Sequence, residues 1–412
     1  MKGNMKLGKW FGVIFLGALF LLGTSGIVQA EKVKIKIGCI AQLTGAYGES
    51  AIGTVEGHMD AMEAANKYMD LKGAVLEGVW LDGGSDVAKS MAAFKQMTGG
   101  SQPVVAITGG STPVALALKK WYIKKKVPNI DGGSADALFQ LPSWTFSVPP
   151  PTVNQFGIWV DYYLKHIWPK KGLKRAPRFA WLTWDNALGR AVITEKTEAY
   201  LKSKGVDLVG AEFIPFVPTD VSAQMMRLKQ KEVDFTFGAM RDNVLAACLK
   251  EADNIGIIDQ MHNAAFWGML PTVLLKHAGP LARNTYITSI TTWKDDWATR
   301  CPRELEMFQK NKRKVPKLVH QIVFAQGIIA AEAVRMAIEA KGSAKNITGE
   351  DVYHGLTKIR NFDAFGARSS VTFNEKKRYG EDSCILINTR DQKVNVMGVF
   401  KAEADLTKYS WK

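Results

Sequence analysis

Strand-like and helix-like segments alternate along almost the whole chain after residue 31, and this alternation constrains the fold more than any other feature. KVKIKIGCIA (32–41) alternates apolar residues as a strand does, and the segment after it repeats apolar residues at helical spacing: Ile52, Val55, Met59 and Met62. Further strand patterns with helix patterns between them follow at 75–82, 104–108 and 127–130. This βαβ succession predicts a mostly parallel sheet covered by helices on both faces.

Three consecutive prolines at 149–151 interrupt the alternation. Such a run cannot lie inside a helix or a central strand, so it predicts a rigid crossover. The pattern then restarts, with helices predicted at 152–166, 187–204, 219–231 and 241–254 and strands at 178–184, 206–213 and 233–237. A second α/β unit of similar plan is therefore expected.

The last third of the chain adds a strand-like return at 285–293, an amphipathic helix at about 318–341 and two late strands. We therefore expect an α/β fold of two Rossmann-like lobes with parallel-sheet cores, joined by three crossover strands near Pro149, Thr288 and Val371. The expected N-terminal lobe is 31–147 plus 290–371, and the C-terminal lobe is 148–289 plus 372–412. Ligands of open α/β sheets bind outside the carboxyl ends of the strands, so a cleft between the lobes is the expected site.

Residues 1–30 have the composition of a secretory signal peptide. Lys2, Lys6 and Lys9 precede an apolar run that ends near Leu22, and small residues lead to an expected cleavage after Ala30. The run is shorter than the ~20 apolar residues that span a bilayer, which disfavours the alternative of an uncleaved anchor. No cysteine stands directly after the cleavage point, so we do not expect a lipoprotein.

Charge and cysteine content exclude several classes of protein. The formal charge of +15 becomes +12 when the three signal lysines are removed, but export argues against a nucleic-acid partner. The four cysteines allow three full disulfide pairings, although Cys39 and Cys248 lie in apolar patterns typical of buried thiols. The cysteines form no CxxC motif and the six histidines are scattered, so neither a metal site nor a cofactor is expected.

The stretch ITGGSTPVALAL (107–118) passes from a strand through two glycines into a helix. The free N–H groups and the positive dipole end of a helix starting near Thr112 favour an anion. The alternative is that Ser111 or Thr112 only caps the helix. The stretch lacks GxGxxG and GK[ST], and the chain has no GxSxG elbow, so the sequence does not predict an enzyme.

Five segments in order carry a resemblance: the opening KIKIGCIAQLTGAYGESAIGTVEGHMDAMEAAN, VVAITGGSTPVALA, VPNIDGGSADAL, FAWLTWDNALGRA and VDFTFGAMRDN. Behind a signal peptide, they resemble the branched-chain amino-acid binding proteins of ABC importers, the leucine/isoleucine/valine-binding family. The resemblance implies a monomeric, non-catalytic periplasmic protein that closes on a small solute and delivers it to permease and ATPase subunits at the inner membrane. A ligand-sensing protein that serves a receptor or regulator is the alternative, and neighbouring genes would distinguish the two.

The resemblance also implies the site residues. In the first lobe it assigns the ligand carboxylate to Ser111, Thr112, Gly133 and Ser134, and it places Tyr47 over the ligand. In the second lobe it implies contacts from Trp184, Leu188, Met240, Arg241, Phe266 and Trp267. For any single aromatic of this set, a place in the core is the competing interpretation.

The second lobe departs from the family pattern. Leu188 stands where relatives carry an aromatic residue, and MHNAAFWGM (261–269) lacks the acid that should pair with a ligand ammonium. An ammonium buried without a partner costs several kcal/mol. We therefore expect a carboxylate- or amide-bearing solute without a free amine, branched-chain amino-acid-like or aromatic, unless another acid compensates; the candidates considered are Asp136, Asp185 and Asp242.

Overall fold

A computed structural model describes residues 32–44, 48–290, 297–314, 317–367 and 370–409. The predicted signal peptide and Tyr47 lie outside the described residues. Within them, the strands form two separate sheets, one of five strands and one of seven.

The first sheet is parallel throughout, in the order β2-β1-β3-β4-β5. Its strands are β1 (Val33–Ala41), β2 (Ala74–Asp82), β3 (Ala106–Gly109), β4 (Asn129–Asp131) and β5 (Thr145–Ser147). The helices between these strands are α1 (Gly48–Tyr68), α2 (Val87–Met97) and α3 (Thr112–Lys125). The central strand β1 is buried on both faces from Ile37 onward, as expected where helices cover both sides of a parallel sheet.

The second sheet has the order β12-β11-β10-β9-β8-β6-β7. Its strands are β6 (Arg178–Trp184), β7 (Asp207–Ile214), β8 (Phe235–Gly238), β9 (His262–Ala265), β10 (Thr285–Ser289), β11 (Ser383–Asn388) and β12 (Asn395–Lys401). The pairs β10–β11 and β11–β12 are antiparallel and the others are parallel. Its helices are α4 (Thr152–Tyr162), α5 (Ala187–Arg190), α6 (Glu195–Ser203), α7 (Ser222–Gln230), α8 (Asp242–Asn254) and α9 (Pro271–Ala278).

Four later helices pack with the first sheet: α10 (Trp297–Arg300), α11 (Pro302–Lys310), α12 (Lys317–Lys341) and α13 (Gly349–Lys358). The stretch Leu318–Lys341 is long and apolar enough to cross a membrane, but 83% of its most apolar window is buried inside the protein. We therefore interpret α12 as the central core helix of the first lobe.

The predicted α/β fold of two lobes is confirmed. The chain crosses from the first sheet to the second between β5 and α4, returns after β10, and reaches the second sheet again at β11. The proposed lobe boundaries themselves stay a prediction.

Two predicted helices differ from the structure. The helix expected at 187–204 is broken into α5 and α6, because Thr194 begins a new helix by accepting from the N–H of Thr197 in a capping box. The helix expected at 152–166 ends as an α-helix at Tyr162 and continues as a wider π-helical turn over Tyr163–Ile167. Cys39 and Cys248 are buried free thiols, so the interpretation of these two residues is confirmed.

Substitution of Gly57 tests how closely α1 and α12 pack. A Cβ atom at Gly57 would overlap the backbone carbonyl of His320, which cannot swing away as a side chain does. We expect Gly57→Ala to lower the free energy of unfolding by about 1–3 kcal/mol through overpacking, although alanine normally stabilises an open helix position by about 0.5–1 kcal/mol. Urea unfolding measures the difference, and a stabilised variant would contradict this packing.

Candidate ligand-binding cleft

A cavity lies between the two lobes, beyond the carboxyl ends of β3, β4 and β8. Its volume is about 110 Å³. One water needs roughly 10–15 Å³ of such space, so the cavity would hold about seven to eleven waters or one small solute. Its walls combine a polar end on the first lobe with apolar sides from both lobes.

The turn from β3 into α3 forms part of the polar end. Gly109 (φ 75°) and Gly110 (φ 98°) adopt left-handed backbone that side chains disfavour. Ser111 is the N-cap residue of α3, but its side chain makes no capping hydrogen bond. Ser111 therefore does not cap α3 through its side chain, and both Ser111 and Thr112 line the cavity.

A carboxylate stands beside this turn. Asp131 ends β4, is 1% exposed and lines the cavity. It accepts hydrogen bonds from the backbone N–H of Gly133 (2.9 Å) and from Nδ2 of Asn129 (3.2 Å). Burial raises the pKa of Asp131 to about 6, although these two donors and the N–H of Gly132 lower it. At pH 7 the group is therefore mostly ionised.

Asp131 changes the electrostatics expected for the first lobe. A Cβ atom at Gly110 would lie 3.4 Å from Oδ2 of Asp131, so the carboxylate faces the α3 turn. A second carboxylate about 5 Å from it would be repelled by roughly 3 kcal/mol at an effective dielectric constant near 20. The dipole end of α3 favours a solute carboxylate here, whereas Asp131 opposes one.

Two glutamines also line the polar end, and neither was predicted from the sequence. Gln42 is 4% exposed, and neither its Oε1 nor its Nε2 has a hydrogen-bond partner among the described residues. Oε1 of Gln326, on α12, accepts from the N–H of Gly109 (3.1 Å) and so fixes the α3 turn against the helix. A buried amide without partners carries a free-energy cost that a hydrogen-bonding solute can offset.

The apolar wall of the first lobe comes from α12, which the sequence did not assign to the site. Successive turns of this helix face the cavity through Leu318, Val319, Ile322 and Val323. An amphipathic pattern shows that a helix has an apolar face, but not whether a core or a cleft covers that face.

The second lobe contributes four of its predicted residues: Leu188, Arg241, Phe266 and Trp267. Nη1 of Arg241 donates to the carbonyl of Gly268 (2.6 Å), which supports the guanidinium at the cavity edge. The Trp267 ring reaches across the cleft, since a Cβ atom at Gly132 would lie 3.0 Å from its Cη2. The two lobes therefore touch through Trp267.

Three predicted residues lie outside the cavity lining. The Ser134 hydroxyl shares a hydrogen bond with Oγ1 of Thr152 (2.6 Å). Trp184 packs against Phe216 in the core of the second lobe, with ring centroids 4.7 Å apart, and Met240 is buried in the same core. Gly133 does line the cavity. The role of each in binding stays a prediction.

The acids considered as compensating partners do not line the cavity either. Asp136 pairs with Lys196 (3.3 Å), Asp185 pairs with Arg190 (2.7 Å), and Asp242 lies near the N–H of Leu270 (3.4 Å). Among the described residues, Asp131 is the acid that lines it. The motif IDGGS carried the signal, since a polar residue that ends a parallel strand lies at the ligand-binding edge.

Comparison with known protein families agrees with this two-lobed architecture. A profile described as periplasmic binding protein matches residues 34–386. This chain belongs to the periplasmic binding protein family. No curated protein matches its sequence significantly. Membership implies a small-molecule ligand, a membrane transporter as partner and an extracytoplasmic location.

Solved structures similar to this periplasmic binding protein share its fold. A branched-chain amino acid ABC transporter protein from Thermus thermophilus, with bound valine, is 18% identical with a TM-score of 0.77, covering 92% of this chain and 98% of that one. A fatty acid ABC transporter substrate-binding protein from Thermomonospora curvata is 18% identical (TM-score 0.75; 91% and 94% covered). A branched-chain amino acid transporter binding protein from Streptococcus pneumoniae, in complex with isoleucine, is 17% identical (TM-score 0.71; 90% and 99% covered).

The buried charge of Asp131 predicts a pH-dependent stability difference. Because the folded-state pKa lies above the ordinary value of 3.8, the folded protein keeps a proton that the unfolded chain has lost between about pH 4 and 6. Stability therefore falls as pH rises through this window. The variant Asp131→Asn lacks this titrating group. Its free energy of unfolding, measured relative to wild type, should therefore rise by as much as ~3 kcal/mol between pH 4 and pH 7.

Asp220→Asn is the control for urea unfolding at a series of pH values. The N–H and hydroxyl of Ser222 lower the pKa of Asp220 below 3.8, so the stability difference between this variant and wild type should change mainly below pH 4 and stay nearly constant from pH 4 to pH 7. A difference between Asp131→Asn and wild type that stays constant from pH 4 to pH 7 would contradict the prediction.

Proposed function

We propose that this protein is an extracytoplasmic solute-binding protein of an ABC importer. It binds a small carboxylate- or amide-bearing solute, branched-chain amino-acid-like or aromatic, in the interlobe cleft and delivers it to a permease without catalysis. Cleavage after Ala30 releases it as a monomeric periplasmic protein. The observation that carries the proposal is the cavity itself, which has hydrogen-bonding groups at one end and apolar walls from both lobes.

The character of the walls supports a solute with a compact apolar body. Phe266 and Trp267 face the cavity from one lobe, and Ile322 and Val323 face it from the other. Each buried CH₂ of a solute is worth about 0.8 kcal/mol, and each hydrogen bond to a charged group about 1.5–3 kcal/mol. One polar end and a few methylenes are therefore enough for micromolar affinity, which needs about 8 kcal/mol.

Contact between the lobes supports a clamp that closes on the solute. The backbone N–H of Trp267 donates to Oε1 of Gln155 (3.0 Å), and the Thr288 hydroxyl donates to the same oxygen (3.0 Å). These bonds support the loop that carries Trp267 against Gly132. A closed surface of this kind differs from the open one, so a permease can distinguish the loaded protein.

A binding screen with a scattering measurement tests the proposal. Calorimetry against amino acids, their amides and small aromatic or branched acids should find at least one solute with micromolar or tighter affinity. Small-angle scattering should then show contraction when that solute is added. If no solute binds and none causes contraction, the proposal is refuted.

Removal of the Trp267 ring should weaken binding of any solute found in this screen. Trp267→Ala removes an aromatic wall and the contact with Gly132, so we expect at least a roughly tenfold loss of affinity by calorimetry, as for a central aromatic contact. Trp80→Ala is the matched control, because Trp80 is exposed on the edge strand β2 and does not line the cavity. Equal losses in both variants would count against a role of Trp267 in the cleft.

A further inference from the structure

We propose that the cleft binds its solute with a polarity opposite to the one that the resemblance implies. An N–H donor of the solute, an ammonium or amide group, faces Asp131 in the first lobe, and a carboxylate of the solute faces Arg241 in the second. The inference rests on the proposed solute-binding function and narrows its substrate class to dipolar solutes, of which amino acids are the simplest.

The first step is the hydrogen-bonding capacity of Asp131. An ionised carboxylate offers about four acceptor positions. The described residues supply three donors, the N–H groups of Gly132 and Gly133 and Nδ2 of Asn129. One acceptor position therefore remains, on a side chain that lines the cavity.

The second step is the set of groups around that carboxylate. Gln42 lines the same cavity just after β1, is buried, and has an amide oxygen and an amide nitrogen that both lack a partner among the described residues. Oγ1 of Thr112 lies close by, since it would be 3.4 Å from a Cβ atom at Gly133. A carboxylate, an amide oxygen and a hydroxyl together can accept the several N–H bonds of one ammonium or amide group.

The third step is the opposite lobe. Arg241 is the cationic side chain among the described residues that line the cavity, and it is also the N-cap residue of α8. Its guanidinium favours an anion. The two formal charges that the described residues bring to the cavity thus lie on opposite lobes, and a dipolar solute complements both when it bridges them.

Phenylalanine and leucine, with analogues lacking one charged group, test the polarity. The acid-only probes are 3-phenylpropionate and 4-methylpentanoate, and the amine-only probes are phenethylamine and isoamylamine. For wild type at pH 7.5 we expect calorimetry to show that loss of the amine weakens binding at least about tenfold, as expected for a charge-assisted hydrogen bond. Tighter binding of the acid-only probes than of the amino acids would overturn the proposal.

Two variants separate the ends of the solute. Asp131→Asn should weaken amine-bearing probes at least about tenfold and leave acid-only probes unchanged or tighter. Arg241→Gln should weaken carboxylate-bearing probes and spare the amine-only ones. Tighter binding of amino acids by Asp131→Asn would place their carboxylate at the first lobe and refute the inference.

We expect the Asp131→Asn variant to keep the local fold. Oδ1 of Asn129 has no partner among the described residues, so its amide can turn to accept from the new side-chain amide. Native mass spectrometry of wild type then separates the two levels of the proposal. A copurified solute without an N–H donor overturns the polarity alone, whereas no bound probe and no copurified solute would refute solute binding itself.

Discussion

The packing of α12 against α1 is the constraint on which the first lobe and its half of the cleft depend. His320 of α12 lies between two carboxylates, with Nε2 2.8 Å from Asp60 of α1 and Nδ1 2.8 Å from Glu304 of α11. All three residues are fully buried. Burial alone lowers the pKa of His320, but its hydrogen bonds to both acids outweigh this effect and raise the pKa, so the imidazolium form joins the three helices.

The packing of α12 against α1 and α11 determines which side chains of α12 line the cavity. One side of α12 holds His320 against α1 and α11, and the neighbouring side carries Leu318, Val319 and Ile322 to the cavity. Further along the same helix, Gln326 holds the N–H of Gly109. The position of the α3 turn therefore depends on a residue 217 positions away in sequence, through a hydrogen bond that no local pattern records.

The architecture could be predicted from the sequence because parallel α/β folds depend on local periodicity. The alternation of strands and helices and the break at Pro149–Pro151 lie in the order of residues, and each crossover follows from them. The turn at Gly109–Thr112 was found for the same reason, since it lies at the end of a strand, whereas the aromatic pair Phe266 and Trp267 came from the resemblance. The resemblance supplied the remaining second-lobe positions.

What the sequence did not determine is the direction of side chains at these strand ends. Successive strand residues point to opposite faces, so a position that ends β6 can enter the core instead of the cleft, as Trp184 does. Asp131 was not predicted as a site residue, because the glycines after it suggested that backbone N–H groups bind the solute there. The contributions of Gln42 and α12 depend on tertiary contacts, which periodicity cannot show.

The short segment Asp131–Gly132 contributes both to the cavity lining and to the contact between the lobes, through different atoms. Asp131 presents its carboxylate to the cavity, while Gly132 offers bare backbone to the Trp267 ring of the other lobe. A side chain at position 131 can therefore change without disturbing the contact between the lobes, whereas any Cβ at position 132 would press on Trp267. A substitution at position 131 would therefore alter the charge beside the α3 turn, and with it the end of a solute that the first lobe can accept, while the contact between Gly132 and Trp267 is kept.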